Sequence, residues 1–327
     1  MKKDVCVCVQ LVNHAPSNVS LEALALAAKL TDGEGKVSAL VLGAEEADLA
    51  STLIAYGADR VVLVKGGRLA EFSADAYVQA LHAVLGELSP QIVLLGSTGE
   101  GKELAARAAE MSCADYVSDV IDVAVEGENL YWKRFAYSGS VIQKETAQTA
   151  CVFATVRPNA FKKCEPDAAR TGETLVKEYQ AEDQALKTQV LEMITTMSED
   201  AKIEEADIVV CAGRGMGSEE DCKALQELAD LLGGVVGGTR PAVEAGWVAR
   251  NNLIGQSGKS VAPRIYIAFG VSGAVQHLAG ISGADYIVAV NRDEDAAIFN
   301  VANVGIVADA KQALTVMIDE IKRMQSK

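Results

Sequence analysis

Residues 265–291 read IYIAFGVSGAVQHLAGISGADYIVAVN. The apolar run IYIAF stops at Gly270-Val271-Ser272-Gly273, a helical stretch follows over 273–279, and a second apolar run starts at Tyr286. Strand, glycine turn, helix and strand make up the repeating unit of a parallel sheet, whose strands need crossover connections. Working outward, 207–212, 234–237, 264–269, 286–290 and 305–308 read as strands. Residues 218–232, 273–279, 296–300 and 311–322 have helical spacing. The alternation predicts an α/β fold in which the C-terminal half is a doubly wound parallel sheet.

The first half repeats the pattern. Strands are expected over 5–12, 37–42, 60–64 and 91–95, and helices over 21–30, 46–56, 74–88 and 102–111. From 116 to 156 the chain reads as strands joined by turns, with Glu126-Gly127 and Ser138-Gly139 as turn signals. Antiparallel strands are expected there, finishing the first domain. Residues 159–202 are polar and charged with no clear buried strand, which fits a linker or a wrapping segment. A boundary near Ser198 gives an N-terminal α/β domain with its connecting segment over 1–197 and a second domain over 198–327.

The chain has 327 residues, enough for two cores, and half of them are hydrophobic. A net charge of −15 excludes nucleic acid as a default partner, since phosphate binding needs a basic surface. The opening MKKDVCVCVQLV carries two lysines and an apolar run broken by Gln10, Asn13 and His14. No small-residue cleavage site follows, so it reads as a buried strand rather than a signal peptide. No arginine precedes Arg60, which argues against a transit peptide, and no apolar run is long enough to span a bilayer. The seven cysteines include no CxxC pair, so free thiols without a structural metal are expected.

Ligands bind open parallel sheets outside the carboxyl ends of the strands. In the second half these ends carry Gly213-Arg214-Gly215-Met216-Gly217, Gly238-Thr239-Arg240, Gly270-Val271-Ser272-Gly273, Asn291-Arg292-Asp293 and Asp309. Glycine lets backbone N–H groups approach an anion, and a helix N-terminus adds partial positive charge, so a pyrophosphate suits the Gly270–Gly273 turn. An ordinary glycine turn into a helix fits the same residues. The stretch 252–259, NLIGQSGK, is irregular and polar; it fits either a loop wrapping a large polar ligand or a solvated loop. His277 lies one turn into the helix after Gly273, where it is either structural or a chargeable neighbour for an anion.

The order Tyr266, Gly270-Val271-Ser272-Gly273, Gln276-His277, Gly280 and Ala289-Val290-Asn291 resembles the signature of electron transfer flavoprotein alpha subunits. Thr239-Arg240, Gly255-Gln256-Ser257-Gly258-Lys259 and Asp309 also match it, and the resemblance covers the whole chain. It implies FAD in a Rossmann-like second domain and a beta subunit completing a heterodimer. It places Arg240 against the isoalloxazine ring, favouring reduced anionic forms by charge. It places Ser257 at the N5 edge, His277 at the N1/O2 edge and Gln256 in the ring pocket. Gly270, Ser272, Gly273, Ala274, Val275 and Gln276 would surround the pyrophosphate. Asn291 and Asp309 would hold the adenosine end, with Arg214 at the crevice edge. Thr239 stands where the family often has serine and keeps the hydroxyl. Leu253 stands where the family often has glutamine, which leaves Ile254 and Gly255 to contribute backbone only; Gly258 is also among the residues the resemblance places at the cofactor.

The resemblance implies an electron carrier with no catalytic residue of its own and no metal. Its partners would be acyl-CoA dehydrogenases, or NADH with ferredoxin or flavodoxin in a bifurcating mode that uses a second FAD in the beta subunit. The expected location is the bacterial cytoplasm. An AMP- or ATP-binding module without redox activity is the alternative. A nicotinamide dehydrogenase is disfavoured, because no GxGxxG follows the first strand. Residues 97–102, STGEGK, lack the P-loop spacing and read as structural.

Overall fold

Strand β1, Val5–Val9, is buried at every position. Val5, Val7 and Val9 belong to one apolar core, and Cys6 and Cys8 to another. Side chains alternate along a strand, so VCVCV is apolar throughout because the sheet is covered on both faces. Each fully buried valine or leucine contributes about 1.5–3 kcal/mol. The strand stops short of the expected residue 12. Asn13 and His14 take positive φ and turn the chain into a small hairpin of β2 (Leu11–Val12) and β3 (Ala15–Pro16).

The computed structural model describes residues 3–44, 47–127, 129–137, 141–180, 186–188, 190 and 203–325. The chain divides into two compact units, Met1–Phe135 with Ile142–Thr195 and Ala136–Val141 with Thr196–Lys327. The expected boundary at residue 198 and the Ser138-Gly139 turn lie outside the described residues.

After β3 come α1 (Asn18–Thr31), β4 (Val37–Leu42), α2 (Ala47–Ala55), β5 (Arg60–Lys65), α3 (Ala74–Leu88), β6 (Ile92–Gly96) and α4 (Gly99–Met111). Then follow β7 (Asp115–Glu126), β8 (Asn129–Ala136), β9 (Val141–Glu145), β10 (Val152–Val156) and β11 (Glu173–Glu178). The sheet order is β11-β5-β4-β1-β6-β10-β7-β8-β9. Helices α1 and α2 cover one face, and α3 and α4 the other. This is the doubly wound arrangement expected.

Two expectations need correction. Residues 116–156 are not all antiparallel. Strands β7 and β8 form a hairpin, but β10 runs parallel between β6 and β7. Its five residues VFATV are all buried, so it is a two-faced central strand. The segment after 159 also holds a strand: β11 pairs in parallel with β5 along ETLVKE. Leu175 and Lys177 are half-buried, whereas Glu173, Thr174, Val176 and Glu178 are exposed, as on a sheet edge carrying charge.

The second unit contains β12 (Ile208–Ala212), α5 (Glu219–Leu232), β13 (Val235–Gly238), α6 (Arg240–Glu244), β14 (Ile265–Phe269), α7 (Val275–Leu278), β15 (Ile287–Asn291), β16 (Val304–Val307) and α8 (Ala310–Gln325). All five strands are parallel, in the order β13-β12-β14-β15-β16. Helix α5 starts where Ser218 accepts the Asp221 N–H at 3.1 Å, and Glu219, Glu220 and Asp221 complement its dipole. It ends at Gly233 in the left-handed conformation. Helices α5 and α8 cover one face of this sheet. The other face is packed by Ile254, Val261, Leu278, Ile281 and Ile298, from loops and short helical turns. The expected helix at 296–300 is a single 3-10 turn, Ala297–Asn300. All seven cysteines are free thiols. No helix among the described residues is long and apolar enough to cross a membrane.

Candidate functional site

The strand order of the second unit reverses between β12 and β14, its topological switch point, where crevices form. The loop after β12 and the loop after β14 interlock there. Gly213 N–H donates to Phe269 O at 2.8 Å, and Gly215 N–H to Gly270 O at 3.0 Å. Gly270 has φ +65°, and a Cβ on it would lie 2.6 Å from the Gly215 carbonyl carbon. Gly273 has φ +82°, and its Cβ would lie 2.2 Å from Ile298 N. Neither position has room for a side chain or a conformation that favours one. The GRGMG run thus supplies close packing against the β14 loop.

Beyond these glycines lies a crevice of about 720 Å³. Every strand end from β12 to β15 contributes to it. Arg214 and Gly215 come from the β12 loop; Thr239, Arg240 and Pro241 from the end of β13; and residues 253–257 from the long loop before β14. Residues 270–274, Gln276 and His277 come from the β14 loop and α7, and Asn291, Arg292 and Asp293 from the end of β15.

The β14 loop is held open by its neighbours. Asn291 Nδ2 donates to Val271 O at 2.8 Å, and Ile298 N–H donates to Ser272 O at 3.1 Å. The N–H groups of Ser272, Gly273 and Ala274 have no acceptor among the described residues. Free amides beside an exposed serine are the donor set an anionic group requires.

The 253–259 loop is fixed rather than loose. Ile254 N–H donates to Gly238 O at 2.9 Å, and Gln256 N–H to Gln276 O at 2.8 Å. Lys259 pairs with Glu204 at 2.8 Å. Gln256 and Ser257 stay exposed at its tip. Thr239 is buried, its hydroxyl donating to Ala212 O at 3.3 Å. Arg240 opens α6 and reaches Glu244 at 2.9 Å, with about two-thirds of each side chain exposed. Such a pair contributes little and leaves Arg240 available to a ligand charge.

His277 is buried, and both ring nitrogens are engaged. Nδ1 lies 3.1 Å from Ile254 O and Nε2 lies 2.8 Å from the Tyr266 hydroxyl. A carbonyl only accepts, so Nδ1 carries the proton and Nε2 accepts from Tyr266. Burial pushes the imidazole down to about 4, against a smaller upward pull from the Ile254 carbonyl. The ring is therefore neutral at pH 7. With no anion in the crevice, desolvation decides the charge of the ring.

Of the expected residues, Gly258, Val275 and Asp309 stand outside the crevice lining. Gly258 is a turn glycine whose Cβ would strike Leu253 O. Val275 is exposed at the start of α7. Asp309 caps α8, accepting the Lys311 and Gln312 N–H groups at 3.1 Å each. Gly215, Pro241, Val271, Arg292 and Asp293 also join the lining, although the family resemblance gave none of them a cofactor contact. Their signal was available, since all but Pro241 belong to strand-end runs already singled out, and Pro241 directly follows Arg240 in one of them. In the first unit, residues 97–102 do what their spacing implies: Thr98 caps α4 by accepting the Gly101 N–H at 3.0 Å.

A family model described as "Electron transfer flavoprotein domain" matches residues 5–184, and one described as "Electron transfer flavoprotein FAD-binding domain" matches residues 202–282. The electron transfer flavoprotein subunit alpha of Bacillus subtilis (strain 168) is 36% identical over 324 residues, covering 99% of each chain. That of Megasphaera elsdenii is 38% identical, covering 94% of this chain and 93% of its own. The acryloyl-CoA reductase electron transfer subunit beta of Anaerotignum propionicum is 32% identical, covering 93% and 92%. FAD is accordingly the cofactor, and the chain belongs to the electron transfer flavoprotein alpha-subunit family.

Proposed function

We propose that this chain holds FAD in the crevice of its second unit and, paired with a beta subunit, passes electrons between a donor and partner redox proteins. The observation that carries this reading is the crevice at the switch point. Its lining combines free backbone amides, hydroxyls, a neutral buried imidazole and three arginines.

The residues present fit the group. A volume near 720 Å³ suits one dinucleotide, within the usual range for ligand sites. The Ser272, Gly273 and Ala274 amides would take the pyrophosphate. Gln256, Ser257 and Arg240 would border the flavin ring, and Asn291 would keep the phosphate loop in shape. When bound, FAD supplies the uptake and release of electrons, while the protein supplies orientation and charge. Arg240 contributes positive charge, Thr239 and Ile254 exclude water from the inner wall, and His277 stays neutral until charge appears.

The partner reading extends beyond the family. The relative named as an acryloyl-CoA reductase electron transfer subunit favours an acyl-CoA dehydrogenase type of partner for this chain. The bifurcating mode, with NADH as donor and ferredoxin or flavodoxin as one acceptor, is a second form of the same activity. The relatives are bacterial proteins, and we place this chain in the bacterial cytoplasm.

Co-purification with the beta subunit, flavin counting and an NADH oxidation assay test the proposal. Two FAD per heterodimer with NADH oxidation supports the bifurcating mode. One FAD without NADH oxidation supports simple transfer from a dehydrogenase. A colourless complex that FAD cannot reconstitute overturns the proposal and favours an AMP- or ATP-binding module.

A further inference from the structure

Behind His277 lies a buried chain of polar groups that the crevice lining does not include. Tyr266 on β14 is fully buried and places its hydroxyl 2.8 Å from His277 Nε2. The Cys211 thiol on β12, also fully buried, is the other polar side chain that interacts with that hydroxyl. The thiol donates weakly to Ala212 O at 3.8 Å, which leaves its sulfur lone pairs to accept. The groups facing the imidazole are therefore Tyr266, the Ile254 carbonyl and, through Tyr266, Cys211. Among the described residues, no charged side chain acts on it.

This arrangement has two satisfied states. In the first, Tyr266 donates to Nε2 and the imidazole is neutral. In the second, Nε2 carries a proton and donates to the Tyr266 oxygen, whose own hydrogen turns to the Cys211 sulfur. Nδ1–H donates to Ile254 O in both. Buried polar groups without partners cost about 1–3 kcal/mol, and more when charged, so the second state requires a donor that can reverse. Phenylalanine at 266 would leave Nε2 orphaned in either state. Alanine at 211 would orphan the turned hydroxyl in the second state only.

We propose that Tyr266 is a positioning residue whose hydroxyl turns between His277 and Cys211, allowing His277 to take up a proton when negative charge enters the crevice. The proton comes from solvent and adds to Nε2, while phenol and thiol keep theirs. Burial supports this, pushing Cys211 up to about 12 and Tyr266 far above the ordinary phenol range, so neither ionises. The inference rests on the reading of the crevice as the FAD site.

The test uses nitrogen-15 imidazole spectra of the full-length chain, which has only three histidines, with the His277 signal assigned by His277→Gln. Without FAD at pH 7, the expected spectrum shows Nδ1 protonated and Nε2 bare. With FAD bound and reduced by dithionite, the wild type shows both nitrogens protonated. The charged-to-neutral ratio falls at least tenfold in Tyr266→Phe and in Cys211→Ala, about one pKa unit. Cys211→Ser, which keeps an acceptor, restores it to within about threefold, less than half a unit. A wild-type Nε2–H tautomer overturns the proposal, as does a His277 that stays neutral on reduction. So does a ratio unchanged in Cys211→Ala, which is the milder variant should Tyr266→Phe fail to fold. Failure of the chain to bind FAD overturns the crevice assignment instead and leaves the tautomer measurement standing.

Discussion

Both units wind a parallel sheet, and each has a switch point, yet the two switch points are built differently. In the first unit the order reverses between β1 and β6. Side chains close that place: Thr98 donates to Gln10 Oε1 at 2.8 Å, and Gln10 Nε2 donates to Glu100 Oε2 at 2.8 Å. Ser97 donates to Asp119 at 2.9 Å. A carboxylate stands in the first turn of α4, where an anion would otherwise be welcome. In the second unit the same topological place carries interlocked glycines and free amides, and no acid among the described residues caps the β14 loop. A shared winding therefore predicts where a ligand can bind, while the loop chemistry decides whether it does.

The comparison breaks most sharply at Gly270. Gly270→Ala, with φ +65° and a Cβ 2.6 Å from Gly215 backbone, is expected to weaken FAD binding at least 100-fold in a fluorescence titration, about 3 kcal/mol. Gly101→Ala in the first unit also meets backbone, at 2.0 Å from Gly96 O, and is expected to lower stability while leaving FAD affinity within twofold, below ~0.5 kcal/mol.

The next largest effect belongs to the first unit alone. Glu22 is buried and accepts the Asn159 N–H at 2.8 Å. Burial pushes its carboxyl up to about 7, against weaker downward pulls from the Asn159 and Phe161 amides and Lys163. The folded state thus holds a proton that the unfolded chain releases near the ordinary 4.5. Its contribution is complete below that value and is lost as pH rises through about 7. Unfolding followed by Trp132 in a Trp247→Phe background should show roughly 2–3 kcal/mol less stability at pH 8 than at pH 5. Glu22→Gln should flatten that slope; an unchanged slope would refute the assignment.

Arg240→Ala is expected to lower the FAD reduction potential by about 30 mV, or ~1.4 kcal/mol for two electrons. The effect is modest because Arg240 is largely exposed and shared with Glu244. A redox titration with no change would remove Arg240 from the ring. The smallest effect is Thr98→Ala. Loss of that cap should cost about 1 kcal/mol of first-unit stability in denaturant melts and leave the flavin potential unmoved.

The sequence exposed the second unit well, because its short strands are continuous apolar runs that end in glycine, amide or charge. Buried β10 was blurred by its neighbours: VFATV carries the two-faced apolar signal, but hairpin turns on its N-terminal side drew it into an antiparallel pattern. Edge strand β11 was hidden for the opposite reason, since ETLVKE buries only alternate residues and looks like a polar segment. Within the site, the residue types at the strand ends were legible, whereas partner geometry was not. Nothing in the spacing of Tyr266 and His277, 11 residues apart, shows that their side chains meet across a strand and a short helix. The resemblance singles out Asp309 at a strand end, but its second place, as the cap of α8, is visible only in the structure.

Amide hydrogen exchange with and without FAD tests the central contrast most directly, since both switch points are read in one sample. The account predicts slowed exchange at 253–257 and 270–277, with residues 97–101 unchanged. Protection at 97–101 with none at 270–277 would contradict it.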